Sequence, residues 1–427
     1  MKRYEKVISS PQAIWFESLP NGWRATKIRE LFSERNTKVS DKEFEPLSVG
    51  KMGVVHQLDT AVKTDNGDNR KLIRIGDFAI NSRSDRKGAC GVSLLEGSSS
   101  LIITVLKPHY TINSKFYHYL FRSHYFSEEF YRNGKGLVAD LWTTKWEEMR
   151  NIYIPVPSRN EQDQIVRFLD WKTAKIDKLI EGYQKQISLL EERRQTVVDE
   201  AVIHGIDDAE LKPSGTNWVS EIPVHWQMVF SKKLFAERKD KAFPDDEQLT
   251  ASQKYGIITQ QEFMKIEQRR VTVVMKGDDI LKHVGKGDFV ISMRSFQGGL
   301  EYSYVEGKIS SAYVMLIPRP GKVYDEYFKW LLKSRPYIKA LQGTADLVRD
   351  GQALRYANFA KVPLPIIPIE EQKRIADYIE AETQKIDIAI PVINKQISLL
   401  KEYRTRLISD VVTGQIDVRD EVIPETR

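Results

Sequence analysis

With 427 residues, 41% hydrophobic and 29% charged, the chain can form two or three domains, each burying its own core. No apolar run approaches the ~18 residues of a membrane span, the opening MKRYEKVISSPQAIW lacks a secretory-signal core, and one cysteine, Cys90, excludes an internal disulfide. A cytoplasmic protein with no membrane partner is expected. The net charge of +6 is unevenly spread: residues 1–150 carry 24 Lys and Arg against 18 Asp and Glu, and residues 211–360 carry 23 against 17. The stretches after them are acidic, with 8 against 12 in residues 151–210 and 10 against 12 in residues 361–427. Two separate basic blocks suggest two contacts with a polyanion, although an incidental basic surface would give the same counts.

In chain order, the first half opens with Trp15, Pro20 and Trp23. Asp77 to Arg83 (DFAINSR) alternates apolar and polar residues as a half-buried strand does, then enters a glycine-containing loop, 84–91. Residues 115–131 carry aromatics at helical spacing, which suits a core better than a base-stacking platform. Ile154-Pro155-Val156-Pro157 closes a strand, and Ser158 with Glu161 makes an S-x-x-E capping box that starts a long helix. The stretch 161–190, EQDQIVRFLDWKTAKIDKLIEGYQKQISLL, then returns 210 positions later as EQKRIADYIEAETQKIDIAIPVINKQISLL, with fourteen of thirty positions identical. The repeat extends upstream: Trp15, Pro20 and Trp23 recur as Trp218, Pro223 and Trp226, and Gly76-Asp77-Phe78 as Gly287-Asp288-Phe289. A chain written twice implies two similar modules with two similar tasks.

Both repeated segments carry a stripe that steps by three and four residues, from Val166 to Ala201 and from Ala376 to Val411. Ile176, Ile180, Ile187 and Leu190 lie on the first stripe; Ile386, Ile390, Ile397 and Leu400 lie on the second. A strict 3.5-residue period requires a helical partner along about 40 residues, roughly 60 Å. The first helix leads from the first head to the second, so the second must run back to cover it, and the pair is antiparallel with the chain termini close together. Arg194 and Arg404 interrupt the stripes at aligned points and read as register devices. Gly205 and Gly414 end the two helices, and Pro368 stands where a first-turn proline is tolerated. Pro391 and the aligned Glu181-Gly182 predict a kink or break. The expected fold class is α+β: two similar globular heads (1–153 and 206–362) joined by two long antiparallel helical regions (154–205 and 363–427) in a pseudo-two-fold repeat.

Motifs that carry chemistry are missing from the sequence. It contains no G-x-x-x-x-G-K-[ST] phosphate loop, no H-E-x-x-H, no C-x-x-C and no N-P-P-Y or D-P-P-Y run. Pro244-Asp245-Asp246 begins like a nuclease motif but lacks a following D/E-x-K, so it reads as a turn with an N-cap. His118 and His124 are six apart, which matches no helical metal-ligand spacing. A non-catalytic chain without metal or cofactor is expected.

The duplicated entry P-x-(3–5)-E-Q, at Pro155/Pro157 to Glu161-Gln162 and Pro365 to Glu371-Gln372, is followed by Thr173…Lys175-Ile176-Asp177 and Thr383…Lys385-Ile386-Asp387. With Leu19-Pro20…Trp23, Ile222-Pro223…Trp226 and the Gly-Asp-Phe strands, these make the chain resemble, over essentially its full length, the DNA-specificity (S) subunits of type I restriction–modification enzymes. It departs from that family in having Ser158 and Ile367 where a second adjacent proline is common, and in Pro391. The resemblance implies two target-recognition domains, each reading one half of a bipartite duplex DNA target. It also implies a helical platform for two methyltransferase (M) subunits that bring S-adenosylmethionine, and an ATP- and Mg-dependent restriction (R) subunit that docks on the assembly. Two other classes fit the bare residues: a coiled-coil scaffold with incidental basic heads, and an enzyme with an unfamiliar site.

Base-edge readout needs side chains with fixed donor geometry on loops at strand ends. The candidates are Arg83, Arg86, Lys87, Lys135, Thr144 and Lys145 in the first head, and Arg294, Gln297, Arg349, Gln352 and Arg355 in the second. If the helix pair sets the gap between half-sites at about one helical turn, roughly 34 Å, residues inserted between His204 and Lys212 should lengthen the unread spacer. The motif methylated by the modified enzyme reports this, and an altered half-site identity would count against it.

Overall fold

The computed structural model describes residues 2–5, 7–10, 13–16, 18–58, 67–83, 86–109, 112–137, 142–268, 280–292, 295–344 and 354–424. The helices are α1 (Ser114–Arg122), α2 (His124–Arg132), α3 (Trp146–Met149), α4 (Arg159–His204), α5 (Gln260–Glu267), α6 (Ser295–Gly298), α7 (Asp325–Leu331), α8 (Arg335–Gln342), α9 (Tyr356–Lys361) and α10 (Ile369–Val412). The chain divides into two compact units. Unit one is Met1–Tyr183 with Asn394–Arg427, and unit two is Gln184–Ile393. Each unit therefore combines one head with part of both long helices.

The two heads share one topology. In unit one a four-stranded antiparallel sheet runs in the order Phe32–Glu34, Ile103–Pro108, Phe78–Asn81, Cys90–Val92. In unit two the order is Phe235–Arg238, Val314–Pro318, Phe289–Ile291, Glu301–Tyr302. Register is conserved too: Leu106 faces Phe78 and Glu34, while Leu316 faces Phe289 and Glu237. The aromatics of 115–131 are core, as their spacing suggests: Phe116, Tyr117, Phe121 and Phe126 are buried, and Phe121 meets Phe32 and Phe78 at 5.5 and 4.7 Å. In unit two Phe235, Phe289 and Phe328 join a single apolar cluster with Val198 and Val202 of α4 and Ile375 and Ile379 of α10. The long helices are thus part of the core of the head they touch.

The repeated motifs hold this architecture together. The Gly-Asp-Phe aspartates are buried anion anchors. Asp77 accepts from Arg35 at 2.6 and 3.0 Å and from the Arg74 N–H at 2.9 Å. Asp288 accepts from Arg238 at 2.6 and 2.9 Å and from the Gly285 N–H at 2.8 Å. The Glu-Gln pair ties each long helix to its head. Gln162 accepts the Asn113 N–H at 2.9 Å and donates to the Pro157 carbonyl; Gln372 accepts the Tyr324 N–H at 2.8 Å and donates to the Ile367 and Lys322 carbonyls. Both glutamines are buried, so each amide replaces the water that these backbone groups would otherwise bind. The opening tryptophans do the same at the strand before the helix, Trp15 donating to the Tyr153 carbonyl and Trp218 to the Pro363 carbonyl.

Two ion pairs set the direction and register of the helices. In unit one Arg404 meets Asp177 at 2.9 Å, and in unit two Arg194 meets Asp387 at 3.2 Å. Seventeen positions forward on α4 correspond to seventeen back on α10, so the pair is antiparallel. Both acceptors are the aspartates of the K-I-D runs. Ile176, Ile180, Ile386 and Ile397 are buried, whereas Ile187, Leu190, Ile390 and Leu400 are half-buried.

Three expectations need correction. Neither helix breaks: α4 passes through Glu181-Gly182 and α10 through Pro391 without interruption. Pro391 is exposed, so the backbone group that it leaves unpaired can face water. The capping box at Ser158 is only half made. Ser158 accepts the Glu161 N–H at 3.4 Å, but the Glu161 carboxylate takes the Tyr4 hydroxyl at 2.7 Å instead of returning to the cap. Pro368 lies just outside α10, its carbonyl accepting the first helical N–H groups at 3.0 Å. At the far ends Gly205 and Gly414 both adopt φ +75°, and a Cβ on Gly414 would lie 2.4 Å from Pro20, so glycine is required there by conformation and by space.

Removing one partner of a buried ion pair strands the other. Asp288→Ala is expected to destabilise unit two by about 3 kcal/mol, visible as faster amide exchange in the strand Phe289–Ile291 than in Phe78–Asn81; equal protection of both strands would contradict the anchor role.

Candidate nucleic-acid interface

Three chain segments in the first head are joined side by side by backbone bonds. Isolated bridges pair Arg83 with Thr143 and Thr143 with Lys135, and the Thr144 N–H donates to the Ser82 carbonyl at 2.9 Å. The end of a sheet strand, the loop after α2 and the approach to α3 therefore lie together, and they carry Arg83, Lys135 and Lys145 into one neighbourhood. Arg83 and Lys145 are exposed and have no ion-pair partner among the described residues. Lys135 reaches Glu148 at 3.2 Å with most of its side chain in solvent, a contact that holds it weakly. Lys87 lies 2.5 Å from Glu128 and 5.0 Å over the Tyr131 ring. Arg86 is exposed on the same turn, its N–H donating to the Arg83 carbonyl at 3.2 Å.

Thr144 does not belong with these cations. It is 2% exposed and its hydroxyl donates to the Phe130 carbonyl at 2.8 Å, so it anchors the segment that presents Lys145. Sequence reasoning missed the aromatic support beside it: the Trp142 indole donates to the Tyr131 carbonyl at 2.8 Å, its ring 6.0 Å from that of Tyr131. A Cβ on Gly134 would lie 2.3 Å from the Trp142 nitrogen, so this packing requires glycine. The signal was the run Trp142-Thr143-Thr144-Lys145-Trp146, legible only once Gly134 is known to lie against it.

In the second head Arg355 occupies the place of Lys145: each is the exposed N-cap residue of a short helix, α9 or α3. Buried Leu354 stands where Thr144 does, which supports the anchoring role of that position. Gln297 is exposed in α6. Arg294, Arg349 and Gln352 lie outside the described residues.

The site offers hydrogen-bond donors. The one thiol, Cys90, is buried and its pKa is pushed up to about 12 by that burial, which keeps it protonated and inert. Among the described residues no group of histidine, cysteine and carboxylate side chains could hold a metal ion, and no helix is long and apolar enough to cross a membrane. Pro244-Asp245-Asp246 is a turn in which Asp246 accepts the Phe243 N–H at 2.8 Å and contacts His283 at 2.9 Å. Exposed cations on joined loops can donate to phosphates or base edges.

Comparison with known proteins gives one family model and several relatives. Residues 223–398 match the type I restriction modification DNA specificity domain. The chain named as the type I restriction enzyme MjaX specificity subunit of Methanocaldococcus jannaschii is 21% identical over 412 residues, covering 94% of this chain and 92% of that one. The MjaVIII specificity subunit of the same organism is 24% identical over 287 residues, 63% of each chain. Among solved structures, a chain from a study of complex assembly and conformational transition of the type I R-M system matches with TM-score 0.66 at 16% identity, covering 93% of this chain and 99% of that chain. The HsdS subunit from Thermoanaerobacter tengcongensis matches with TM-score 0.52 at 17% identity, covering 93% and 98%.

Duplex binding separates the roles of the clustered residues. Arg83→Ala is expected to lose ~1–3 kcal/mol on one preferred sequence if it reads a base, whereas Lys145→Ala, if it contacts a phosphate, should flatten the log–log salt dependence by ~0.9 on every sequence. Thr144→Val should alter stability rather than either binding measure. A fluorescence-anisotropy titration over a salt series distinguishes the three, and unchanged binding by both cation variants would rule out this face.

Proposed function

We propose that this chain is a type I restriction–modification DNA-specificity subunit that reads a bipartite duplex target with one half-site per head and performs no catalysis itself. The observation that carries the reading is the duplicated head, with the same strand order, the same aspartate anchor and the same N-cap cation (Lys145 or Arg355) in both copies. Two copies of one recognition scaffold with different loops suit two different half-sites. Arg83 and Gln297, with Arg294, Arg349 and Gln352 in the same role, are the base-reading positions; Lys87, Lys135, Lys145 and Arg355 serve the phosphates.

The helix pair is the platform for two methyltransferase subunits. Each unit has a groove along the last turns of a long helix, about 950 Å³ in unit two and about 690 Å³ in unit one. Aligned residues line both: Arg193 and Tyr403, Val197 and Leu407, Glu200 and Asp410. Leu189 and Leu399, also aligned, are 55% and 48% exposed, apolar side chains suited to a repeated partner helix. S-adenosylmethionine then belongs to the M subunits, ATP and Mg to an R subunit, and the setting is the cytoplasm.

Mapping methylated adenines in the host genome by long-read sequencing tests the reading. Deleting the gene should erase one bipartite motif, and replacing residues 206–362 with the corresponding head of a relative should change one half of that motif only. A motif that survives deletion, or one altered in both halves by the exchange, would refute it.

A further inference from the structure

The internal repeat provides its own comparison, and at one place the two units carry opposite charge. Helices α1 and α7 start equivalently, because the backbone N–H of the preceding residue, Asn113 or Tyr324, donates to the buried glutamine of the Glu-Gln pair. That fixes which side chains correspond. In unit one α1 satisfies the adjacent carboxylate of α4 from within the chain: Lys115 lies 2.6 Å from Asp170, and Tyr119 donates to the same group at 2.7 Å. Nearby His118 accepts the Val92 N–H at 3.2 Å. Burial first, then Arg122 and Lys115, push its pKa down to about 4 and keep it neutral.

Unit two reverses this arrangement. Glu326 stands in the place of Lys115, Trp330 in that of Tyr119, Asp377 in that of Arg167 and Glu380 in that of Asp170. Glu326 is taken by Lys329 at 2.5 Å, and the buried Glu301 by Lys333 at 2.6 Å. Asp377 and Glu380 are exposed and have no ion pair or hydrogen bond from their carboxylates among the described residues. They lie one helical turn apart on α10, a spacing that lets one cation meet both. Both line a cavity of about 340 Å³ whose other wall includes Tyr302, Tyr304 and Trp330. That wall already faces cations of the chain itself: Lys329 sits 4.8 and 4.9 Å from the Tyr302 and Tyr304 rings, and Arg194 lies 5.6 Å over Trp330. Lys254, Lys329 and Lys333 also line the cavity, but none of them pairs with Asp377 or Glu380 among the described residues. An ammonium pairs with the α4 carboxylate in unit one, whereas Glu326, itself held by Lys329, stands at the aligned place in unit two.

We propose that this cavity receives an arginine or lysine side chain of a methyltransferase subunit, at unit two only, because Lys115 already fills the aligned position in unit one. The inference rests on the reading of the helix pair as a methyltransferase platform. Its consequence is that two identical partner subunits bind with unequal strength, although their platforms repeat. The cation bridges Asp377 and Glu380 and makes the stronger attachment the more salt-sensitive one.

Calorimetric titration of the full chain with the methyltransferase subunit of its host, at two salt concentrations, tests this. The wild type should show two unequal binding events. Asp377→Asn combined with Glu380→Gln, nearly isosteric and at exposed positions, should weaken the tighter event by roughly tenfold and leave the other unchanged. Lys115→Gln, which frees Asp170, should strengthen the weaker event. Absence of any methyltransferase binding by the wild type would defeat the proposed function and this inference with it. Two events that the double variant leaves unchanged, or weakens equally, would overturn this inference alone.

Discussion

Each long helix carries an apolar stripe that needs a helical partner, and much of the fold follows from that requirement. A 3.5-residue period is satisfied along its length only by a second helix, and the single available partner is encoded two hundred residues away. The Arg404–Asp177 and Arg194–Asp387 pairs set direction and register on the solvent-facing border of the stripe. Each is partly exposed, so the net energy of either is small. Their value lies in excluding other alignments, since a shift by one heptad would separate all four charges. In unit two the helices also contribute Val198, Val202, Ile375 and Ile379 to the core of the head, so head folding and helix pairing are one event there.

The motifs that carry the resemblance are structural before they are functional. The glutamine of Glu-Gln satisfies backbone groups from two separate segments, and the aspartate of Gly-Asp-Phe holds a bidentate arginine within the sheet. Neither is available to DNA. On the proposed reading, recognition is left to residues that the scaffold holds by their backbone alone, such as Arg83, whose main chain pairs with Thr143 while its side chain stays exposed. This division lets loops vary in sequence without loss of the fold, because the anchors are elsewhere.

Duplication also shows which features are dispensable. Glu371 accepts the Trp226 indole at 2.9 Å, whereas its counterpart Glu161 takes the Tyr4 hydroxyl, and the Trp23 indole N–H has no partner among the described residues. The aligned carboxylate is thus satisfied by different donors in the two copies. What persists is the need for a partner, not its identity. The charge reversal between Lys115 and Glu326 is a different kind of divergence, since it changes what the surface offers to another molecule.

Much was legible in the sequence by itself. Periodicity gave the two helices, chain order gave their antiparallel sense, and the aligned Gly205 and Gly414 gave their ends, because repeat spacing and left-handed glycine are local properties that a string of residues displays. Only the tertiary structure decided what depends on partners distant in the chain. Pro391 is carried through an unbroken helix because its exposed position lets water meet the unpaired backbone group. Glu161 leaves its capping box for a hydroxyl 157 residues away. Thr144, polar and on a loop, is an anchor because the Phe130 carbonyl happens to lie beside it. Side-chain direction and long-range hydrogen-bond partners are set by packing, which no local pattern encodes.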